Sequence, residues 1–296
     1  MVEYIGLRLL SLVAPLLPSG MAALVCNLAG DAAWLLMRQR RGNVARNLSM
    51  VLGSPIGALD PRAREVFRQG TRYYYDTFRV PALADEEIGR LVTLQGEEHL
   101  GRALAAGKGI VLVTAHLGSP SMVAQILRVK GYAVTTVVEQ VHPRRLLDLM
   151  TKVRGSRGIN VIPLGSDIVR RLSEALKRNE VVGMLVDRDV AGTGAKVSFF
   201  GAPTTLPTGP VMLALRSGAA LVPAFAYRLD GGRVVGLIGE TIPLQRSGNL
   251  REDIKVNAQR VAGVVEEAIA RQPTQWIVFE PVWSEANVGK GQGRVA

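Results

Sequence analysis

The 296-residue sequence is poor in the residues that usually announce a chemistry. Its one cysteine, Cys26, lies inside an apolar stretch, which excludes a disulfide framework and suits catalytic parts in a reducing compartment. The three histidines, at 99, 116 and 142, follow no metal-ligand spacing, so no metal site is expected. Aromatic residues make up 5%, and no basic run is interleaved with stacking side chains, so a nucleic-acid partner is not expected. No serine stands in Gly-x-Ser-x-Gly, which removes a hydrolase nucleophile elbow. Gly101 and Gly107-Lys108 miss the phosphate-loop interval by one residue, and Gly109 occupies the place of the required hydroxyl. No Gly-x-Gly-x-x-Gly follows a strand.

What is present is apolar surface and positive charge. Hydrophobic residues reach 48% and mean hydropathy is +0.18. Thirty-six Lys and Arg against 25 Asp and Glu give a formal charge of +11, suited to an anionic partner. Residues 4–37 are the most apolar part, read as two helices (4–17 and 21–37) separated by Pro15, Pro18 and Gly20. Neither is an unbroken apolar run of about 18 residues, the length a spanning helix needs. Two arrangements fit: a helical pair lying in one leaflet, flanked by Arg38, Arg40, Arg41 and Arg46, or a hairpin buried in the fold. The first predicts an anionic membrane surface as partner, at the cytoplasmic face of a bacterial plasma membrane.

A helix is expected over residues 61–92. Beyond it, short β-rich runs at 109–114, 133–139, 160–163, 181–186, 221–227, 234–238 and 276–279 alternate with helical segments at 121–130, 143–154, 168–177, 209–217 and 251–271. This alternation predicts an α/β fold with a central, mainly parallel sheet flanked by helices. Two parts are expected: membrane-associating helices over 1–60 and one continuous α/β core over 61–296. Residues 289–296 read as a basic, glycine-rich disordered tail.

The run Gly109-Ile-Val-Leu-Val-Thr-Ala-His116 is a buried strand ending in a polar residue, and Gly118-Ser119-Pro120 then opens a helix. The carboxyl end of a parallel strand facing a helix N-terminus is where open α/β sheets bind ligands, and free N–H groups there can stabilise an oxyanion. By position alone His116 is either a base or a structural histidine.

Thr114-Ala-His116-Leu-Gly-Ser resembles the first block of glycerolipid-type acyltransferases. The second block is recognisable in Val138-Glu139-Gln140-Val-His-Pro-Arg-Arg, Arg154 and Arg157-Gly158-Ile, ending at Pro163-Leu164. The third is Gly183-Met-Leu-Val-Asp187-Arg188-Asp189, followed by Phe199-Phe200-Gly201-Ala-Pro203, Pro207-Thr-Gly209-Pro210 and Ser217-Gly218 through Pro223. With Asn43-Val-Ala-Arg46-Asn47 and Gln275-Trp276, these blocks resemble the lipid A biosynthesis branch of the lysophospholipid acyltransferase superfamily. Within it, the phosphatidylinositol mannoside acyltransferases are most alike. The resemblance covers roughly residues 5–283.

It implies that His116 deprotonates an acceptor hydroxyl, which attacks an acyl thioester. The family pairs this histidine with an acid five residues on, but position 121 is a serine. In the mannoside branch an acid of the third block also pairs with the histidine; here that place holds Asp187, so Asp187 is expected to orient His116 and Ser121 to add a hydrogen bond at most. Glu139 is expected to hold a sugar hydroxyl or cap a turn. Arg154 and Arg157 are expected to bind a phosphate, or else to stand on a solvated helix end. Phe199 and Phe200 either line an acyl groove or pack the core. The resemblance implies transfer of a fatty acyl group from acyl-CoA or an acyl carrier protein to a hydroxyl of a glycolipid such as a phosphatidylinositol mannoside, with no cofactor. Lipid A-type and lysophospholipid acceptors, and a non-catalytic lipid-binding relative, are the alternatives.

Overall fold

A computed structural model describes residues 2–17, 19–140, 143–190 and 192–284. His142 and the tail at 289–296 lie outside them. The chain begins with helices α1 (Val2–Val13), α2 (Ser19–Leu36), α3 (Arg38–Leu52), α4 (Pro61–Arg79) and α5 (Asp85–Leu91), then β1 (Val92–Gln95) and α6 (Glu97–Leu104). An alternating stretch follows: β2 (Ile110–Thr114), α7 (Pro120–Val129), β3 (Val134–Val138), α8 (Arg144–Gly155), β4 (Asn160–Pro163), α9 (Ile168–Lys177) and β5 (Val181–Leu185). The last elements are a hairpin of β6 (Ala195–Phe199) and β7 (Ala202–Leu206), then α10 (Gly209–Ser217), β8 (Ala220–Arg228), β9 (Val234–Ile238) and α11 (Leu250–Arg271).

Seven strands form one sheet in the order β1-β9-β8-β2-β5-β3-β4. Every pairing in it is parallel except β8 with β9. The expected α/β architecture is therefore the observed one. The two faces of β2 explain the layering. Val111, Val113 and Ala115 pack among residues of α9, α10 and α11, whereas Ile110 and Leu112 pack against α6 and α7. A strand buried on both faces reads as a continuous apolar run, as β2 does.

Two expected elements are different. The helix expected over 61–92 stops at Arg79, because Pro81 has no N–H to donate and its ring collides with the preceding turn. A 3-10 turn, Val80–Ala82, leads to α5, whose Glu87 carboxylate accepts from the Ala84 N–H at 3.0 Å. The strand expected at 276–279 makes only one bridge, Leu117 with Trp276. Side chains of α3 take the carbonyls at and just beyond its end: Asn43 donates to the Phe279 carbonyl at 3.0 Å, and Asn47 to those of Val278 and Glu280 at 3.3 and 2.9 Å. Amides thus satisfy carbonyls that a sheet ladder otherwise takes.

On α2, Ala22, Cys26 and Gly30 fall every fourth residue and are buried. Gly30 lets α2 touch the backbone of α4, since a Cβ there stands 2.6 Å from the Arg68 Cα. Beside it Asp31 binds Arg64 and Arg68, each at 2.7 Å. Burial, reinforced by the nearby Asp76 charge, pushes the Cys26 thiol up to about 11. The thiol is therefore a reporter of helix docking, since only the thiolate reacts. Gly30→Val is expected to cost about 1–3 kcal/mol by overpacking and to raise the rate of Cys26 labelling by iodoacetamide at neutral pH at least tenfold. An unchanged labelling rate and melting temperature would rule out the close α2–α4 contact.

Candidate active site

The site is built by strand register. Strands β2 and β5 are parallel neighbours, with Thr114 opposite Leu185, and the Val186 N–H extends the ladder to the Thr114 carbonyl at 2.9 Å. Two residues further along each strand, His116 and Asp187 stand opposite one another. His116 Nδ1 lies 2.9 Å from Asp187 Oδ1, and the His116 backbone N–H donates to Oδ2 at 3.0 Å. An ionised carboxylate only accepts, so Nδ1 carries the proton and Nε2 is left as the basic nitrogen. The shorter reach of Asp, compared with Glu, is made up by this direct cross-strand placement.

Asp187 is fully buried. Burial pushes its carboxyl up, but the His116 charge, both His116 hydrogen bonds and the Trp276 indole together outweigh it and hold the pKa below the usual carboxylate value. Trp276 Nε1 donates to Oδ2 at 2.8 Å, which completes three donors. Behind the indole stand Phe199, Phe200 and Trp283, with Phe199 stacked on Trp283 at 5.6 Å. Phe199 thus packs the core behind the carboxylate. The His116 side chain remains 19% exposed, against none for Asp187, so solvent reaches the ring and not the acid.

The turn after His116 is tied down on its other side. The His116 carbonyl accepts from the Ile277 N–H at 2.7 Å, and the Gly118 N–H donates to the Gln275 carbonyl at 3.0 Å. Gly118 has φ +60°, and a Cβ there meets the Ala226 carbonyl oxygen at 2.4 Å, so no other residue fits without displacement. Ser119 donates to Asp76 Oδ2 at 2.8 Å, and Arg228 donates to the same oxygen at 2.6 Å. Gln275 clamps Arg228 through both backbone groups, at 2.7 and 2.9 Å. The Arg228–Asp76 pair is almost wholly buried, so breaking it leaves an uncompensated charge, typically about 3–5 kcal/mol.

An elongated, apolar cavity lies between the sheet and α7. Thr114 and Ser121 form one end, on either side of His116 in sequence; Val134, Val181 and Leu127 line the other. The lining is largely apolar. Gln125 also faces it, and its buried amide oxygen has no hydrogen-bond partner.

The remaining expected site residues are distributed unevenly. Ser121 Oγ is 3.2 Å from Thr77 Oγ1, so its partner is α4 and not His116. Glu139 pairs with Arg188 at 3.1 Å, and Arg188 also holds Glu280 at 2.6 Å. Arg154 donates to the Tyr73 hydroxyl at 2.8 Å, and both residues line the cavity. Arg157 instead binds Asp85 and the Leu83 carbonyl, alongside Arg128 at the end of α7. That cluster lies toward the amino ends of β2 and β5, away from His116, because α7 and α8 run back along the sheet. The structure therefore separates Arg154 from Arg157 in role, and no shared phosphate site is built from them.

The sequence reading missed Trp276 as a carboxylate donor, and it missed the Asp76–Arg228 pair. The first had a signal, since a buried indole N–H needs an acceptor. The second had none, because its partners lie 152 residues apart.

A sequence-family profile described as "Bacterial lipid A biosynthesis acyltransferase" matches residues 1–285. The phosphatidylinositol mannoside acyltransferase of Mycobacterium tuberculosis (strain ATCC 25618 / H37Rv) is 34% identical over 247 residues, 80% of this chain and 75% of that protein. The enzyme of that name from Mycolicibacterium smegmatis is 32% identical over 243 residues, 80% and 78%. The lipid A biosynthesis lauroyltransferase of Escherichia coli (strain K12) is 28% identical over 284 residues, 93% and 88%. With a His–Asp pair where the family's base is expected, this chain belongs to the bacterial lipid A biosynthesis acyltransferase family and is an enzyme that transfers acyl groups.

Proposed function

We propose that the enzyme moves a fatty acyl group from a thioester, acyl-CoA or an acyl carrier protein, to a hydroxyl of a membrane glycolipid such as a phosphatidylinositol mannoside. The observation that carries this reading is the His116–Asp187 contact, two residues along the strands from Thr114 and Leu185, which line an apolar cavity. His116 Nε2 takes the proton of the acceptor hydroxyl as its oxygen bonds to the thioester carbon. The carbon–sulfur bond then breaks, and the proton passes from His116 to the leaving thiolate. Asp187 stabilises the transient imidazolium. The cavity takes the acyl chain, Ser121 and Arg154 border its polar surface, and Glu139, held by Arg188, offers free lone pairs to a sugar hydroxyl. No cofactor takes part, since base and orienting acid both come from the chain.

The place of action is a membrane surface, at the cytoplasmic face of a bacterial plasma membrane. Among the described residues no single helix is long and apolar enough to cross a bilayer, and α2 and α3 meet at a bend of 100°. Yet Leu9, Leu12 and Leu16 on one helical stripe, and Leu24, Leu28 and Leu35 on another, stand exposed. Leu36, at the bend, is 81% exposed, and Arg38, Arg40 and Arg41 follow it. An apolar face beside basic residues is the pattern of a helix lying in the headgroup region.

His116→Ala and Asp187→Asn are each expected to lower acyl transfer about 10²- to 10⁴-fold, measured by mass spectrometry of lipids after incubation with acyl-CoA and a phosphatidylinositol mannoside. If Asp187→Asn keeps full activity while Ser121→Ala abolishes it, the dyad is wrongly assigned. Because the folded pKa of Asp187 is depressed, its stabilising contribution is complete above about pH 4, the unfolded carboxylate value, and is lost as pH falls through the folded value. The melting-temperature gap between wild type and Asp187→Asn is therefore constant through neutral pH and narrows below that point; widening instead would contradict the sign.

Leu24→Glu with Leu28→Glu is expected to weaken sedimentation with anionic phosphatidylserine vesicles about tenfold or more, from the loss of two buried leucines. Unchanged binding would dismiss this face as the docking surface.

A further inference from the structure

One of the residues lining the cavity beside α7, in the middle of the sheet, has no side chain. Gly183 pairs with Leu112 of β2 and with Thr136 of β3, at the centre of strand β5. Glycine in a strand interior costs stability, about 0.5–1 kcal/mol, and needs a reason. The backbone supplies none, since Gly183 is absent from the positive-φ residues. Space supplies one. A Cβ built there meets only the Thr135 carbonyl oxygen, at 3.9 Å, and otherwise projects into the cavity. A strand glycine with open space over it is the mark of a ligand passing close to the backbone.

We propose that Gly183 sets the length of acyl chain the enzyme accepts, by leaving the passage through which the distal half of a long chain runs. This rests on the reading that the cavity takes the acyl group. The strand provides its own scale. The thioester carbon must sit at His116, level with Asp187, and Gly183 is four residues back along β5. At about 3.3 Å per residue that is about 13 Å. Each residue contributes three backbone bonds, so an extended alkyl chain laid along the strand reaches Gly183 at about its tenth to twelfth carbon. The cavity continues to Val181, two residues further, where Val134, Leu127 and Ile159 also line it. That end corresponds to about sixteen to eighteen carbons on the same scale. Gly183 is therefore the position that decides how far along β5 a straight acyl chain can run.

The experiment compares the full-length enzyme with Gly183→Ala and Gly183→Val, using saturated acyl-CoAs of about eight to eighteen carbons. Transfer to a phosphatidylinositol mannoside and binding by calorimetry are both recorded, with melting temperatures to verify folding. Wild type is expected to favour the longest donors. Gly183→Val is expected to lose about a hundredfold in kcat/KM with those donors while keeping a ten-carbon donor within about threefold. Gly183→Ala, a single methyl over open space, is the variant that retains the fold in any case, and is expected to show the same shift at about tenfold. A length profile unchanged in either folded variant overturns the inference and leaves the acyl reading of the cavity standing. So does a wild type that already prefers chains of ten carbons or fewer. A wild type that neither transfers nor binds any acyl-CoA fails earlier, and removes the reading of the cavity together with the inference.

Discussion

A carboxylate with no exposure to water lies at Asp187, and much of the molecule is arranged around keeping it charged. An isolated charge in the interior is prohibitively costly unless donors replace the lost water. Here the donors arrive from two other parts of the chain, the His116 turn and the indole of Trp276. The aromatic group of Phe199, Phe200 and Trp283 closes the rear, so the acid polarises only the ring in front of it. The same satisfied geometry fixes which histidine nitrogen is basic. A histidine with one defined basic nitrogen is thus a by-product of solving a burial problem.

The sheet divides the labour. On one face, α9, α10 and α11 cover β2 with close-packed side chains and provide rigidity. On the other, the packing of α7 against the strands is interrupted by a cavity, and this face carries the hydroxyls of Thr114, Ser121 and Thr77. The dyad stands at the carboxyl edge shared by both. A second, polar network of Asp76, Arg228, Ser119 and Gln275 holds the turn from below. Its cost in buried charge is offset by a turn that has one conformation.

How much of this was legible depends on whether the cause is local. Residues 160–163, 168–177, 209–217 and 234–238 agree end to end with the strands and helices found there, because turn-forming residues or a change of period bound them. The partnership of His116 with Asp187 was read through family resemblance; its physical cause, the register of β2 with β5, is a tertiary fact. The hairpin of β6 and β7 escaped because its turn places Phe200 at φ 49° before Gly201 at φ 74°. A phenylalanine gives no turn signal, and its ring packing on Trp283 is what holds the conformation. The segment at 276–279 has a strand's composition, yet its Val278 and Phe279 carbonyls accept from Asn47 and Asn43, more than two hundred residues away. Arg157 was grouped with Arg154 through the family resemblance, and the turn between helix and strand sends it to Asp85.

The clasp of α3 on the segment around Phe279 also orders events during synthesis. The exposed leucines of α1 and α2 leave the ribosome long before Trp276 exists. Until that tryptophan arrives, Asp187 lacks its third donor, the His116 carbonyl has no Ile277 N–H, and Arg228 has no Gln275. The nascent chain therefore presents its apolar helices while the surroundings of Asp187 are still incomplete. His116 and Asp187 reach their final alignment only when the segment around Trp276 and Phe279 folds back onto α3.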